Sequence, residues 1–178
     1  MRRKAFIGLF GLLAVLLLCG ASTSKKGWKK FQSVGGMCEV AFPKPPEHVR
    51  QKMSVPDDEY DMSYDVYVST QGKEAVYMVL IAQYPPFVDD QYAELSLESF
   101  LNGILTQHPN NELVFADFIE VQGYKGMDFF IQTKGVFFKG RAVMAKNNLY
   151  LLAMECEQGD YNESDFNYFI DSFTLKKQ

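Results

Sequence analysis

Hydrophobic and polar residues alternate along several stretches of the chain after residue 37, and this pattern predicts β-strands. The first stretch, CEVAF at 38–42, places large apolar residues at every second position and is stopped by Pro43. Two tyrosine-rich stretches follow, YDMSYDVYVST at 60–70 and EAVYMVLIAQYP at 74–85. The sequence QGKE at 71–74 contains a glycine turn, so the two stretches are predicted to form a β-hairpin.

A helical pattern interrupts the strands. Its apolar residues recur at i, i+3, i+4, i+7 and i+8 and form a single stripe, which consists of Leu97, Phe100, Leu101, Ile104 and Leu105. Ser96 stands where an N-cap is expected, and Pro109 lies just beyond the predicted end. An amphipathic helix of this kind buries its stripe, so we expect it to pack on a sheet.

Four more strand patterns follow this helix. They are ELVFADFIEV at 112–121, KGMDFFIQT at 125–133, GVFFKGRAVMAK at 135–146 and LYLLAMECE at 149–157. Their connections are short and contain glycine or asparagine, which indicates an antiparallel meander.

A second helix is predicted near the end of the chain. It begins near Asn162, and Asp165 three residues later completes a partial capping box. Phe166, Phe169 and Ile170 share one face of this helix, and a short apolar strand SFTL follows it. The order of elements predicts an α+β fold in which helices cover a central antiparallel sheet.

The composition describes a folded chain. Its 178 residues suit one domain, and 47% of them are hydrophobic and 15% aromatic. Without the three basic residues at positions 2–4, the chain carries 15 basic and 22 acidic residues, a net charge near −7. This balance excludes nucleic acid as an expected partner, because phosphates are bound by clustered Lys and Arg.

The first 21 residues have the proportions of a secretory signal. Arg2, Arg3 and Lys4 form a charged start, and an apolar run extends from Ala5 to Leu18. Residues 22–26 follow as a short polar tether, and 27–178 are expected to form one globular domain. We therefore expect the domain to be exported to the cell envelope, on the periplasmic side of the membrane.

Three outcomes are open for the signal segment. In the first, LLLC at 16–19 acts as a lipobox, cleavage precedes Cys19, and this residue carries the lipid that anchors the protein. In the second, cleavage after Ala21 releases the protein. In the third, the uncharged stretch 5–24 is retained and spans the membrane, since twenty residues are just long enough. The first outcome, a membrane-anchored lipoprotein, is our leading expectation.

Few residues suggest chemistry. His48 and His108 are the only histidines and have no second His or Cys at the spacing of a metal site. The acidic segment 57–61 lacks the glycine and the alternating carboxylates of a calcium loop. No Gly-x-Ser-x-Gly elbow is present. We expect no catalytic residues, no bound metal and no cofactor.

Two further segments are predicted to have no functional role. Lys139-Gly140-Arg141 is predicted to be a solvated strand face. The sequence NES at 162–164 matches a glycosylation site, but a helix cap explains it better.

Cys38 and Cys156 lie on predicted strands among apolar residues. In an oxidising compartment they are candidates for a disulfide that closes a loop of over a hundred residues and stabilises the domain by up to roughly 4 to 5 kcal/mol. The alternative is a pair of free thiols that pack as small hydrophobic residues. The sequence leaves both open.

Several short sequence features occur along the chain in an order that is typical of one protein family. They are Phe42-Pro43, Gly123 and Gly126 around a turn, Gly140-Arg141, Asn148-Leu149-Tyr150 and Asp171-Ser172-Phe173. In this order, over nearly the whole chain after the signal, the sequence resembles exported bacterial lipoproteins of the PsbP-like (Mog/PsbP/DcrB-type) family. The resemblance implies an α/β/α sandwich. It also implies a non-enzymatic binding or assembly module, since relatives include an extrinsic subunit of a photosynthetic complex and a nuclear GTPase-release factor.

Two classes of function follow. The leading one is a membrane-tethered binding or assembly-supporting protein of the cell envelope that holds an unknown protein partner on an aromatic-rich surface. The residues that suggest such a surface are Tyr60, Tyr64, Tyr67, Tyr84 and Pro85-Pro86. The alternative is a small-molecule carrier or hydrolase of the envelope. An apolar cavity between sheet and helix with polar groups at its mouth would favour it.

Overall fold

The computed structural model of the protein describes residues 25–34, 37–54 and 61–176, with the backbone alone at positions 53, 54, 61 and 62. Two helices are present in this part of the chain, α1 (Ala93–Gln107) and α2 (Glu163–Asp171). The strands in chain order are β1 (Lys29–Gln32), β2 (Cys38–Phe42), β3 (Glu47–Ser54), β4 (Asp61–Gln71), β5 (Ala75–Gln83), β6 (Glu112–Val121), β7 (Tyr124–Thr133), β8 (Val136–Ala145), β9 (Asn148–Glu157) and β10 (Thr174–Leu175).

Seven strands form the central antiparallel sheet in the order β3-β4-β5-β9-β8-β7-β6. The predicted hairpin is β4–β5, and the predicted meander is β6 to β9. The α+β class predicted from the sequence is therefore confirmed. Since β5 pairs with β9, the meander joins the hairpin through strands far apart in the sequence.

Alternate side chains of the buried strand β9 divide the interior into two apolar cores. Tyr150, Leu152 and Met154 point into the first core, whereas Leu149 and Leu151 point into the second. A strand covered on both faces loses the polar alternation of a surface strand, which explains its continuous apolar sequence.

The first core lies beneath α2 and a second, three-stranded sheet with the order β1-β2-β10. Trp28 fills its centre, with its ring edge-on to Tyr77 at 5.0 Å and to Tyr168 at 5.4 Å between ring centroids. Phe169 of α2 is fully buried and packs between Tyr77 and Phe42. These aromatic contacts join the small sheet, α2 and the central sheet in one packed layer.

The second core lies on the opposite face, beneath α1, which packs mainly on β7 and β8. Leu97 and Leu101 are buried, and Phe100, Ile104 and Leu105 are partly buried against the same core. The predicted stripe of α1 is therefore its core-facing side, and the predicted face of α2 is buried as well.

Three features differ from the sequence predictions. First, α1 begins at Ala93 and not after Ser96, because Asp89 caps a 3₁₀ turn that leads directly into the helix. Second, the predicted first strand, β2, does not join the central sheet but forms the centre of the small sheet. Third, β1 and β3 are strands that the pattern did not indicate, since their sequences KKFQ and EHVRQKMS are mostly polar.

Candidate functional site

An exposed apolar cluster lies between the end of β5 and the first turns of α1. We call it the aromatic surface and define it by Tyr84, Phe87, Val88, Tyr92 and Leu95. Phe87 is 62% exposed, Tyr92 51% and Leu95 61%. Together with Ser96 and Ser99, these residues line a shallow, mostly apolar hollow of about 470 Å³. Exposed apolar residues gathered in this way make the surface a candidate interaction site, whereas isolated ones do not.

Hydrogen bonds hold the segment that carries this surface. The Tyr84 backbone N–H donates to the Asn147 carbonyl, and Asn147 Nδ2 donates back to the Tyr84 carbonyl, both at 2.8 Å. Asp90 Oδ1 accepts from the Lys146 N–H at 2.8 Å, and the Val88 N–H donates to the Pro85 carbonyl at 2.9 Å. The β8–β9 turn therefore fixes the surface in place.

The segment 84–99 is acidic. It contains Asp89, Asp90, Glu94 and Glu98 and no basic residue. Of these, Glu94 is paired with Lys125 across to β7 at 2.7 Å. An apolar centre with an acidic rim complements a partner that presents apolar side chains flanked by Lys or Arg.

A separate hollow, which we call the α1 groove, lies farther along the same helix. Its floor and wall are apolar and consist of Met78, Leu80, Phe100, Ile104, Ile131, Val136, Phe138 and Leu151. The volume is about 570 Å³, which is within the range of small-molecule sites. The groove exists because α1 covers β7 and β8, while β5 and β9 continue beyond its edge.

The polar lining residues of the α1 groove are Gln107, His108, Asn111, Thr133, Lys134 and Glu155. We call this set the mouth. Asn111 Nδ2 donates to the Ile104 carbonyl at 2.9 Å, and Thr133 Oγ1 donates to Asn111 Oδ1. Hydrogen bonds therefore join the mouth to both α1 and β7.

The tyrosines singled out in the sequence separate in the structure. Tyr84 belongs to the aromatic surface, and Pro85-Pro86 lead directly into it. Tyr67 is 1% exposed, and its hydroxyl accepts a hydrogen bond from the Val34 N–H at 2.9 Å, so it is a core residue. Tyr64 donates to Gln51 on the exposed face of β3–β4 at 2.5 Å. Tyr60 lies outside the described residues.

Phe87, Tyr92 and Leu95 were not among the residues predicted from the sequence to form a binding surface. A signal was available for two of them, because Tyr92 and Leu95 are large apolar residues that fall outside the stripe of α1. Apolar residues on the solvent side of an amphipathic helix have no core to fill, which makes them candidates for binding.

The two histidines have different surroundings. The His48 ring stacks on Tyr67 with 4.5 Å between centroids, and its Nε2 lies 2.7 Å from Asp65 Oδ1. Arg50 Nε lies 3.4 Å from the same carboxylate oxygen. His108 is the C-cap residue of α1, and it borders the α1 groove. The structure does not bring the two histidines together into one site.

The prediction of a solvated face at Lys139-Gly140-Arg141 is wrong. Arg141 donates to both carboxylate oxygens of Asp128, at 2.7 and 2.9 Å, and this pairing raises the pKa of its guanidinium. Lys139 donates to the Tyr161 hydroxyl at 2.8 Å and lies 4.8 Å from the centre of the Phe166 ring. Both side chains are mostly buried because α2 covers this part of β8.

Cys38 and Cys156 are free thiols in the structure, and both are buried in the first core. Burial raises the pKa of the Cys38 thiol to about 11. The structure therefore shows the second alternative, two free thiols that pack as small hydrophobic residues.

The N-terminal predictions fall largely outside the described part of the chain, which starts at residue 25. The signal segment 1–21 and the lipid attachment residue Cys19 are not described, and the acidic segment 57–61 is described only for the backbone of Asp61. Lys25 forms an ion pair with Asp165, a buried carboxylate of α2. The end of the predicted tether is therefore in contact with the domain.

The cap predicted at NES is confirmed, because Asn162 Oδ1 accepts a hydrogen bond from the Asp165 N–H at 3.1 Å. Within the described ranges, no group of three or more His, Cys, Asp and Glu side chains is placed to hold a metal ion. Neither helix of the described chain has the length and hydropathy required to cross a bilayer.

Comparison of whole folds shows the architectural class. The structure superposes on cyanobacterial PsbP (CyanoP) of Synechocystis sp. PCC 6803 with a TM-score of 0.57, over 90% of this chain and 99% of that one, at 13% identity. The fold is PsbP-like. A protein of unknown function, PA94 of Pseudomonas aeruginosa, is similar with a TM-score of 0.52, over 85% of this chain and 99% of that one, at 11% identity.

Comparisons of the sequence with family models and with curated proteins find no match. The PsbP-like fold predicted from the order of sequence marks is thus confirmed by structure. Identities of this size show a shared fold and leave the function to be argued from the sites.

Proposed function

We propose that this protein is an exported, membrane-tethered binding protein of the bacterial cell envelope, which holds a protein partner on its aromatic surface and performs no catalysis. The observation that carries the proposal is the cluster of Phe87, Tyr92 and Leu95, each more than half exposed. Aromatic residues are enriched in the cores of protein interfaces, and a few such residues supply most of the binding energy.

The acidic residues of segment 84–99 indicate which side chains the partner presents. Because Asp89, Asp90 and Glu98 lie in the same segment, 84–99, as the apolar residues, the partner presents apolar anchor residues beside Lys or Arg. Electrostatic attraction of this kind mainly accelerates association, so the rate constant for binding decreases as the salt concentration rises.

The position of the tether supports this arrangement. Trp28 is 7% exposed in the first core, and Lys25 pairs with Asp165 of α2, so the chain enters the domain on the α2 face. The aromatic surface lies on the α1 face, on the other side of the central sheet. Attachment and partner binding therefore use opposite faces and do not compete for surface.

The absence of catalysis is also part of the proposal. His48 has an acidic neighbour, Asp65, which is one element of a hydrolytic triad. In the described part of the chain, no Ser, Thr or Cys side chain forms a hydrogen bond with either His48 or His108. A nucleophile activated by a histidine requires that contact.

Site-specific photo-crosslinking in intact cells tests this function. A photoreactive amino acid is placed at Leu95, and in a matched variant at Val49, which is 49% exposed on β3. We expect one protein to be captured from position 95 and to be absent from position 49. Capture of the same proteins with equal yield at both positions would contradict the proposal, because it would show contact without a defined surface.

A further inference from the structure

We propose that the α1 groove is a second binding site, which takes a single aliphatic chain with an anionic head group. It shares no lining residue with the aromatic surface. The inference goes beyond partner binding and does not depend on it.

The aliphatic part of the ligand follows from the lining. The floor is formed by side chains of β5, β7, β8 and β9, and α1 supplies one wall through Phe100 and Ile104. Met78 and Leu80 are only partly buried because α1 does not extend over β5. An apolar chain laid on these residues would remove them from water and complete the second core.

The position of the polar residues indicates that the ligand is amphipathic. They come from the C-terminal end of α1, from the loop that follows it, from the β7–β8 turn and from β9. A molecule with an apolar body and one polar end matches this arrangement, with its polar end at the mouth.

The charge of the head group follows from the donors at the mouth. Within the described residues, the Lys134 ammonium and the His108 ring form no hydrogen bond or ion pair. Lys134 stands in a tight turn with φ 44°, next to Gly135 with φ 84°, and the Gly135 carbonyl accepts from the Gln158 N–H at 2.8 Å. The turn is therefore fixed, and among the described residues its cation has no ion-pair partner that an anionic head group would have to displace.

Glu155 is the acidic group at the mouth, and it opposes an anion. Its effect provides a control of opposite sign: Lys134→Asn should weaken binding of an anionic ligand, whereas Glu155→Gln should strengthen it. Asn tolerates the positive φ of position 134, so the first variant keeps the turn. A structural role alone would not move the two variants in opposite directions.

Photoreactive dodecanoate tests the site. The full chain, in the cell fraction that contains it, is irradiated with this probe, and the adducts are mapped by mass spectrometry of peptides. We expect adducts on β5, β8 and β9 at the groove floor, two- to fivefold fewer in Lys134→Asn and more in Glu155→Gln, as expected for partly exposed charge pairs. A photoreactive dodecylamine, which has a cationic head, should show the reverse order.

A variant that fills the groove provides the second measurement. Ile104→Trp replaces an aliphatic side chain on the wall with a larger indole ring and should abolish the groove adducts. Asn102→Ala, on the exposed side of α1, should leave them unchanged. If Ile104→Trp lowers the melting temperature, the test rests on Lys134→Asn and Glu155→Gln, because loss of adducts could then result from unfolding. Adducts scattered outside the groove, or equal yields from dodecanoate and dodecylamine in all variants, would overturn the proposal. Partner capture at position 95 is measured separately, so the results for the aromatic surface and for the α1 groove are independent of each other.

Discussion

Asn147 and Tyr84 form two hydrogen bonds with each other, each 2.8 Å long, and thereby join the β8–β9 turn to the segment that carries the aromatic surface. One bond uses the Asn147 side chain and the other uses only backbone atoms. The side-chain bond can therefore be removed without changing any residue of the surface itself.

Asn147→Ala should loosen the aromatic surface. Loss of the bond to Tyr84 costs about 1 kcal/mol of stability and leaves the Tyr84 carbonyl to water. The longer bond that Asn148 Nδ2 donates to Asn147 Oδ1, at 3.4 Å, is lost with it. We expect faster hydrogen exchange across 84–92 and weaker partner capture at position 95. Asn110→Ala is the matched control, because Asn110 is exposed in the loop after α1. Equal exchange rates in the two variants would show that Asn147 does not fix the segment.

The alkaline stability of the domain should depend on Cys38. Burial raises the pKa of this thiol from 9.0 to about 11, so the folded state keeps a proton that the unfolded chain releases. Its contribution is full below about pH 9 and is lost as the pH rises to about 11, by an amount of order 2 kcal/mol. Burial also raises the pKa of Tyr77 and of Tyr150, which adds to the loss above pH 10.

Urea unfolding at pH 8 and pH 10.5 measures this effect. The free energy of unfolding should fall with pH in the wild type and fall less in Cys38→Ala, which has no thiol to titrate at this position. A decrease of the same size in both proteins would assign the alkaline loss to other groups.

The two helices should respond to truncation according to the face each residue occupies. Leu101→Ala and Phe169→Ala open cavities in the second and first cores, and each should cost roughly 2 to 5 kcal/mol. Ile104→Ala should cost less, because Ile104 borders the open α1 groove. Asn102→Ala and Asn167→Ala on the exposed faces should stay within about half a kcal/mol. Denaturant midpoints measure all five, and equal small effects would contradict the packing of both helices.

The anchor depends on Cys19 if the leading interpretation of the signal segment is correct. Cells supplied with a palmitate analogue should label the protein, and Cys19→Ser should abolish both the label and retention in the membrane fraction. A shortened, unlabelled chain in the soluble fraction would indicate cleavage after Ala21. An uncut, unlabelled chain in the membrane would indicate a retained anchor.

Strands with an apolar face were predictable from sequence, and strands without one were not. β4, β5 and the meander carry alternating or continuous apolar residues because at least one of their faces is buried. β1 has the sequence KKFQ and becomes a strand only because β2 offers it a pairing edge. β3 is an edge strand with exposed side chains, so its pattern resembles that of a loop.

Packing between distant segments was also not predictable from the sequence. Gly140 appeared to belong to a solvated face, yet a Cβ atom there would lie 2.6 Å from Cζ of Phe129 on the neighbouring strand. Arg141 is mostly buried because α2, some twenty residues later, covers its strand. For the same reason the α1 groove was not predictable, since it depends on where α1 ends relative to β5 and β9.

The binding of the captured partner to purified protein tests the central claim most directly. The affinity of the partner is measured for the wild type, for the double variant Phe87→Ala/Leu95→Ala, and for Val49→Ala as an exposed apolar control on β3. We predict that the double variant weakens binding at least about 30-fold, as expected when anchor residues of an interface are truncated, with an unchanged melting temperature. An affinity equal to that of Val49→Ala and the wild type would contradict the assignment of the aromatic surface as the binding site.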